Sequence, residues 1–167
     1  MKPISFEDLT GKVCVITGGA GVLGVEMVKA LASVGVKIAI ADINKEVADK
    51  VAAEVSAESG ATIIGVEANV LDKASLQKAK AEINEKLGPI EILINGAGGN
   101  HPTAATKVEQ MDDSSIDHLE DTFYGLEMDG FDKVFALNFK GTLLPTMVFT
   151  LDMLKAKKGV VLNISSM

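Results

Sequence analysis

Four glycines, Gly18, Gly19, Gly21 and Gly24, stand within seven residues, shortly after the apolar run "VCVI". The segment after them has apolar residues at helical spacing, so the glycines occupy a turn from a strand into a helix. Glycine lets the backbone turn tightly and approach a ligand without interference from a Cβ atom. Because a helix N-terminus also offers unpaired N–H groups and a positive dipole end, this turn is expected to bind phosphate oxygens.

A single acid completes this pattern. Gly19, Gly21 and Gly24 form G-x-G-x-x-G, and Asp42 ends the next apolar run, 18 residues after Gly24. A carboxylate at that position accepts hydrogen bonds from both ribose hydroxyls of an adenosine. Together these residues predict a dinucleotide site, with a purely structural turn as the alternative. The turn is not a Walker loop, because Val25 follows Gly24 where that motif requires lysine.

The acid also bears on the choice of cofactor. The Asp42 carboxylate would repel a 2′-phosphate, Ile43 and Asn44 follow it, and no arginine is nearby. These features favour NAD over NADP. The alternative is that Asp42 is a solvated residue at the end of a strand.

Strands and helices alternate along the chain. Five short, β-branched segments predict buried strands: "KVCVITG", "VKIAIAD", "ATIIGVEAN", "IEILINGAGG" and "GVVLNISS". The segments between them predict helices, the last of which is a long helix from Gly130 to Lys158 that is bent at Pro145. This alternation predicts an α/β fold with a doubly wound, Rossmann-like parallel sheet in the order 3-2-1-4-5. Both glycine clusters, at positions 18–24 and 96–99, then follow strands that flank the switch point of the sheet.

Composition narrows the class of protein. The net charge is −7 and no basic run is present, which argues against binding to nucleic acid or to an anionic membrane surface. The longest apolar runs are far too short to cross a bilayer. Cys14 is the only cysteine, which fits a reducing cytoplasm, and its apolar neighbours predict a buried structural thiol. The two histidines have no cysteine partners, so no metal site is expected.

The ordered motifs resemble those of the short-chain dehydrogenase/reductase family. "TGGAGVLG" follows the first strand, "AD" the second, "ANV" the third and "NGAG" the fourth, and "NFKG" lies in the long helix. "NGAGGNHP" and "GLEMDGFDKVFALNFKGTLLPT" are most similar to the D-mannonate oxidoreductase, or fructuronate reductase-like, subgroup. The resemblance implies hydride transfer between NAD and a small molecule, a sugar acid or related polyol, by a homo-oligomer. It covers the amino-terminal portion of the family pattern only, so residues 1–167 are expected to form one Rossmann domain, truncated after strand 5.

The resemblance also implies roles for individual residues. Val22 stands where the family has the middle glycine of its turn, and Asn69-Val70 resembles an Asp-Val pair that holds adenine. By the same resemblance, the turn that begins at Asn95, after the fourth strand, is expected to form the floor under the cofactor. A plain strand-end turn is the alternative. The cofactor-binding residues expected in this way are Thr17, Gly18, Gly19, Gly21, Val22, Leu23, Gly24, Asp42, Ile43, Asn69, Val70, Asn95, Gly96, Ala97 and Gly98.

The family's catalytic residues are matched only in part. Asn138 matches a helical asparagine that holds a proton-relay water, with a side chain bonded to neighbouring backbone as the alternative. Ser166, with Ser165 as the alternative, matches the serine that orients the substrate oxygen. The family's Tyr-x-x-x-Lys pair has no match, because Tyr124 is the only tyrosine and precedes strand 5. His101 follows the fourth-strand turn and is a candidate for contact with a substrate carboxylate, although a loop-packing histidine is the more ordinary role.

Two classes of function follow. The first is the cofactor-binding portion of an NAD-dependent oxidoreductase, inactive as given because the tyrosine and lysine are missing. The second is a non-catalytic nucleotide-binding module that acts in sensing. A methyltransferase with a related sheet is a distant third, since the motifs beyond the first glycine turn argue against it.

Overall fold

The computed structural model describes residues 5–165, and a five-stranded parallel sheet lies at its centre. The strands have the order β3-β2-β1-β4-β5, as the sequence predicted. Their bounds are β1 Val13–Thr17, β2 Lys37–Asp42, β3 Ile63–Glu67, β4 Ile92–Asn95 and β5 Val160–Asn163.

The helices cover both faces of this sheet. Asn44 and Asp72 cap α2 and α3 by accepting hydrogen bonds from backbone N–H groups, and Gly60 ends α2 in the left-handed conformation. The helices are α1 Val22–Ala32, α2 Lys45–Ser59, α3 Lys73–Lys86, α4 Met128–Phe135, α5 Gly141–Phe149 and α6 Leu151–Ala156.

Alternating side chains of the strands build two separate cores. Val15 packs with α3 and α5 on one face, whereas Cys14 and Ile16 pack with α1 and α2 on the other. The Cys14 thiol is fully buried as expected, and burial raises its pKa to about 12. The expectation of a structural, unreactive cysteine is consistent with that environment.

The register brings the carboxyl ends of the strands to one edge of the sheet. Thr17 pairs with Ala41 on one side and with Asn95 on the other. Asn95 pairs in turn with Asn163 at the end of β5. The two glycine turns therefore leave the sheet beside each other, on either side of the switch point between β1 and β4.

The predicted long helix differs from the observed one. A π-helix, Ala136–Lys140, separates α4 from α5, and Thr150 separates α5 from α6, while Pro145 lies within α5 without ending it. The Asn138 side chain donates to the Val134 carbonyl at 2.9 Å, in place of a backbone N–H of the helix. This competition is a physical reason for the wider turn.

The connection between β4 and α4 carries only short 3₁₀ turns, at Pro102–Ala104, Asp113–Asp121 and Phe123–Gly125. Lys107 ties this connection together through its backbone N–H and its ammonium group, both of which reach Asp121. Across residues 5–165, no helix combines the length and the apolar character that a membrane crossing requires.

Candidate functional site

A cavity of about 520 Å³ opens at the carboxyl ends of β1, β2, β3 and β4. Its volume lies within the range of small-molecule sites, and its place at the switch point is where open α/β sheets bind ligands. All the expected cofactor-binding residues line it except Thr17, Gly19 and Asn95. Ala41, Ala68, Leu71 and Leu137 complete the lining.

The first glycine turn is closely packed against the second. Gly18 has φ +65°, and a Cβ atom there would lie 2.8 Å from Ala97 Cα. A Cβ atom at Gly24 would lie 2.5 Å from the Gly18 carbonyl oxygen. Both positions therefore require glycine, the first for its backbone conformation and for space, the second for space alone.

The N-terminus of α1 faces this cavity without a side-chain cap. Gly21 is the N-cap residue, and its N–H donates to the Gly18 carbonyl at 3.0 Å. The first-turn residues Val22, Leu23 and Gly24 all line the cavity. Their N–H groups have no partner one turn earlier in the helix, so they are placed to bind an anion.

Val22 stands where the resembling family has glycine, yet it fits this turn. It is the first residue of α1, and its side chain is 88% exposed. Its φ is not in the left-handed region, so the backbone there demands no glycine. The tight turn is made by Gly18 and Gly21 instead.

The Asp42 carboxylate lies at the cavity and is half-buried. Its Oδ2 accepts a hydrogen bond from the Ala20 N–H at 3.3 Å, and its Oδ1 accepts one from the Asn44 N–H at 3.1 Å. Each oxygen retains further accepting capacity. The carboxylate is thus fixed against the glycine turn and can still accept hydrogen bonds from a ligand.

Asn69 forms the wall on the β3 side. Its Oδ1 accepts from the Leu71 N–H at 2.9 Å, and its own N–H donates to Ser75 Oγ at 2.9 Å. These bonds make a compact turn that presents Asn69 and Val70 to the cavity. Val70 also packs against Gly141 of α5, where a Cβ atom would lie 3.0 Å from Val70 Cγ2.

Three of the expected contact residues lie behind the cavity wall. Thr17 is fully buried, and its Oγ1 accepts from the N–H groups of Gly96 and Ala97 at 3.1 and 3.2 Å. A Cβ atom at Gly19 would meet the Ile16 carbonyl oxygen at 2.9 Å, so this glycine serves packing against β1. Thr17 and Gly19 are outside the cavity lining and position the glycine turns, so their direct contact with a cofactor stays a prediction.

Asn95 is likewise outside the cavity lining, and its contact with a cofactor stays a prediction. Its side chain points away from the cavity, where Nδ2 donates to Thr146 Oγ1 at 2.9 Å and to Asn163 Oδ1 at 2.8 Å. These bonds join β4 to α5 and to β5. The sequence could not show that Thr17 and Asn95 are outside the cavity lining, because both end strands that lead into the cavity.

Asn138 is bonded to backbone, which was the alternative to a direct catalytic role. Its Nδ2 donates to the Gly99 carbonyl at 2.8 Å, and its Oδ1 accepts from the Gly99 N–H at 3.0 Å. This reciprocal pair fixes the second glycine turn to the π-helix. The Asn138 carbonyl oxygen accepts from Thr142 Oγ1 at 2.8 Å. A role in holding a relay water stays a prediction.

His101 is the N-cap of the 3₁₀ turn Pro102–Ala104, with Nδ1 accepting from the Thr103 N–H. It does not line the cavity, although it lies two residues beyond Gly99. Ser166 lies outside the described residues. Ser165, the alternative, is the last described residue. It follows Ile164, which comes directly after β5 and whose N–H bonds to the Asn95 carbonyl at 3.0 Å.

Within residues 5–165, no group of three or more His, Cys, Asp or Glu side chains is arranged to hold a metal ion. The groups that this site offers to a ligand are its anion-binding helix end, its fixed carboxylate and its glycine-lined floor.

A family model described as short chain dehydrogenase matches residues 12–167. The chain belongs to the short-chain dehydrogenase family. The oxidoreductase UxuB of Bacillus subtilis, itself uncharacterized, is 42% identical over 161 residues, which are 96% of this chain and 56% of that protein. An uncharacterized oxidoreductase of Haemophilus influenzae is 41% identical over 169 residues, covering 100% of this chain and 58% of the relative.

Solved structures share the fold of this short-chain dehydrogenase. A proposed D-mannonate oxidoreductase from Haemophilus influenzae, crystallised with bound NAD, has a TM-score of 0.84 and 40% identity over 94% of this chain and 55% of its own. An NAD⁺-bound xylitol dehydrogenase has a TM-score of 0.78 and 25% identity, covering 95% and 54%. This chain thus spans about half the length of the proteins that it matches.

Proposed function

We propose that this chain carries the cofactor site of an NAD-dependent oxidoreductase that transfers hydride between nicotinamide and a sugar acid or related polyol. The observation that carries the proposal is the Asp42 carboxylate, fixed against the first glycine turn in the cavity that the uncapped N-terminus of α1 also faces. The relatives support the oxidoreductase class, because they include an oxidoreductase of 42% identity.

The donors and acceptors of the cavity fit a dinucleotide. The N–H groups of Val22, Leu23 and Gly24 suit the diphosphate, and the Asp42 oxygens suit the ribose hydroxyls. Asn69 lies where an adenine would contact the β3 side, and the Gly96–Gly98 turn forms the floor. When bound, the nicotinamide supplies or accepts the hydride. The chain itself binds and orients it.

The charges around Asp42 favour NAD over NADP. A 2′-phosphate beside this carboxylate would need a compensating cation. The chain contains no arginine, and Lys45, three residues beyond Asp42, is paired with Asp49 at 2.7 Å. This pairing leaves Lys45 less available to neutralise a 2′-phosphate beside Asp42.

The substrate class is supported by one neighbour. The solved structure that matches this chain with a TM-score of 0.84 is that of a proposed D-mannonate oxidoreductase. Other family relatives act on different molecules, since their names include a D-threitol dehydrogenase of 31% identity and a 7alpha-hydroxysteroid dehydrogenase of 30% identity. The proposal takes a sugar acid as the substrate class on the basis of this neighbour, and it includes a cytoplasmic homo-oligomer.

The 167 residues contain no Tyr-x-x-x-Lys pair, and Tyr124 is 71% exposed with its ring against Phe123. Proton transfer by a positioned side chain contributes about 10²–10⁴-fold to a rate. We infer that the chain as given binds cofactor without sustained turnover. A non-catalytic nucleotide-binding module is the second candidate, and the coding sequence downstream of codon 167 distinguishes the two.

Calorimetric titration tests the cofactor proposal. NAD is expected to bind the parent chain more tightly than NADP, and Asp42→Ala is expected to narrow that difference. Glu46→Ala is the matched control, because it removes the same charge from the start of α2, outside the cavity lining. Equal affinities of the parent chain for NAD and NADP contradict the proposal.

A further inference from the structure

Two nitrogen atoms meet just outside the cofactor cavity. His101 Nε2 lies 3.5 Å from Lys133 Nζ, although the two residues are 32 positions apart in sequence. His101 is half-buried at the start of the long connection, and Lys133 is in the last turn of α4. Neither residue lines the cavity itself.

The hydrogen bonds of the His101 imidazole determine which groups this contact presents to a ligand. As the N-cap, His101 Nδ1 accepts from the Thr103 N–H at 3.4 Å and lies 3.1 Å from Thr103 Oγ1. A neutral ring that accepts at Nδ1 carries its hydrogen on Nε2. In that tautomer the Nε2–H and the Lys133 ammonium are two donors that converge on one space, whereas in the other tautomer Nε2 accepts from the ammonium.

Lys133 has no carboxylate partner among residues 5–165. Asp129, one turn earlier on α4, and the neighbouring Asp132 do not come within 4.0 Å of its Nζ, whereas seven other lysines do form ion pairs. Two donors without an acceptor suit an anion with two oxygens, because each oxygen can accept from one nitrogen.

The fold holds this pair rigidly. Glu127 N–H donates to the Thr103 carbonyl at 2.9 Å, which ties the start of α4 to the His101 turn. A Cβ atom at Gly130 would lie 2.9 Å from Ala104 N, so a glycine there lets α4 approach this turn closely. The His101 and Lys133 side chains are therefore brought together by a packed helix and not by a free loop.

The pair lies at the end of the cavity opposite Asp42. Leu137, one turn after Lys133, lines the cavity, and Gly98 lines it three residues before His101. In the sheet, β4 and β2 lie on opposite sides of β1. A cofactor whose ribose meets Asp42 would thus extend toward the β4 side, where a substrate would join it.

We propose that His101 and Lys133 form the subsite that binds the carboxylate of the substrate and so selects sugar acids over neutral polyols. The proposal rests on the function proposed above and names the residues that would determine its specificity. Lys133 supplies the charge, and His101 supplies a directed N–H. Both are positioned beside the reacting end of the cofactor and take no part in hydride transfer.

The test uses the 167-residue chain saturated with NAD, and D-mannonate and D-mannitol as the charged and neutral probes. Two-dimensional ¹⁵N NMR of the imidazoles follows binding, with His118 as an internal reference. D-mannonate is expected to shift the His101 ring signals, and D-mannitol is not. Lys133→Gln is expected to weaken D-mannonate binding about tenfold, and Lys133→Arg is expected to retain most of it.

Lys155→Gln in α6 is the matched control and is expected to bind D-mannonate like the parent. Unchanged binding in Lys133→Gln, or no His101 response in the parent chain, overturns the subsite. NAD affinity is measured separately by calorimetry. If NAD binding is intact and Lys133→Gln has no effect on D-mannonate binding, this inference alone is refuted. If the parent chain shows no preference for NAD over NADP, the proposed function is refuted.

Discussion

Thr17 Oγ1 accepts a hydrogen bond from the Ala97 N–H at 3.2 Å, across 80 positions of sequence. The same oxygen accepts from Gly96 N–H at 3.1 Å. One buried hydroxyl therefore joins the end of β1 to the second glycine turn and sets the spacing of the two turns that border the cavity. The pocket depends on this bond although Thr17 does not line it.

Replacing this hydroxyl is expected to loosen the second turn. Thr17→Val keeps the side-chain shape and leaves two N–H groups without their acceptor, which costs about 1–3 kcal/mol of unfolding free energy. Urea unfolding measures the loss, and NAD titration is expected to show weaker binding. Thr17→Ser keeps the oxygen and is expected to remain near the parent. A stable Thr17→Val chain with parental NAD affinity contradicts this role.

The space around Gly24 gives a prediction for the first turn. A Cβ atom there would lie 2.5 Å from the Gly18 carbonyl oxygen, so Gly24→Ala is expected to displace the turn and abolish measurable NAD binding. At Gly99 an added Cβ would meet Leu137 Cδ2 at 3.9 Å, an ordinary contact. Gly99→Ala is thus the control, expected to bind NAD normally. Calorimetry on both variants checks the contrast.

Asp152 ties α6 to α3 and to the residues just before β4. Its carboxylate accepts from Lys80, from Asn84 Nδ2 at 3.0 Å and from the Ile90 N–H at 3.4 Å. Burial alone would raise the pKa of Asp152, but these hydrogen bonds outweigh it and lower the pKa below its ordinary value of 3.8. The charged carboxylate is thus the form that the fold stabilises.

This lowered pKa links stability to pH. The charged Asp152 carboxylate contributes fully to the unfolding free energy above its unfolded-state pKa. That contribution is lost as the pH falls through the folded-state pKa, below about pH 4. Asp152→Asn is expected to lower the unfolding free energy by about 2–3 kcal/mol near neutral pH, because Lys80 keeps its charge and loses the negative charge that paired with it. Urea midpoints from neutral to acid pH check this, and the gap between parent and variant should close in acid.

The edge at β5 predicts association of the chain. β5 pairs with β4 alone in the described sheet, and Val160, Val161, Leu162 and Ile164 are each 40–58% exposed. Unpaired backbone groups beside exposed apolar side chains favour pairing with another chain. Light scattering is expected to show self-association or a low melting temperature. Val161→Lys is expected to reduce association, and a parent that is strictly monomeric with a high, cooperative melt contradicts the prediction.

The sequence determined the fold and the place of the site. The strand order, the caps at Asn44 and Asp72 and the cavity at the strand ends followed from local patterns, because apolar runs, glycine turns and capping residues act over a few positions. Asp42 was identifiable at the cavity because it ends a strand next to the glycine turn. A parallel sheet brings all such ends to one edge.

Only the tertiary structure decided which way the polar side chains point. Thr17, Asn95 and Asn138 bond to partners 79, 68 and 39 positions away, and each bond gives its side chain a role in positioning neighbouring elements. The contact of His101 with Lys133 spans 32 positions across a connection of irregular turns. Hydrogen bonds over such separations depend on the packing of whole elements, for which the local sequence carries no periodic signal.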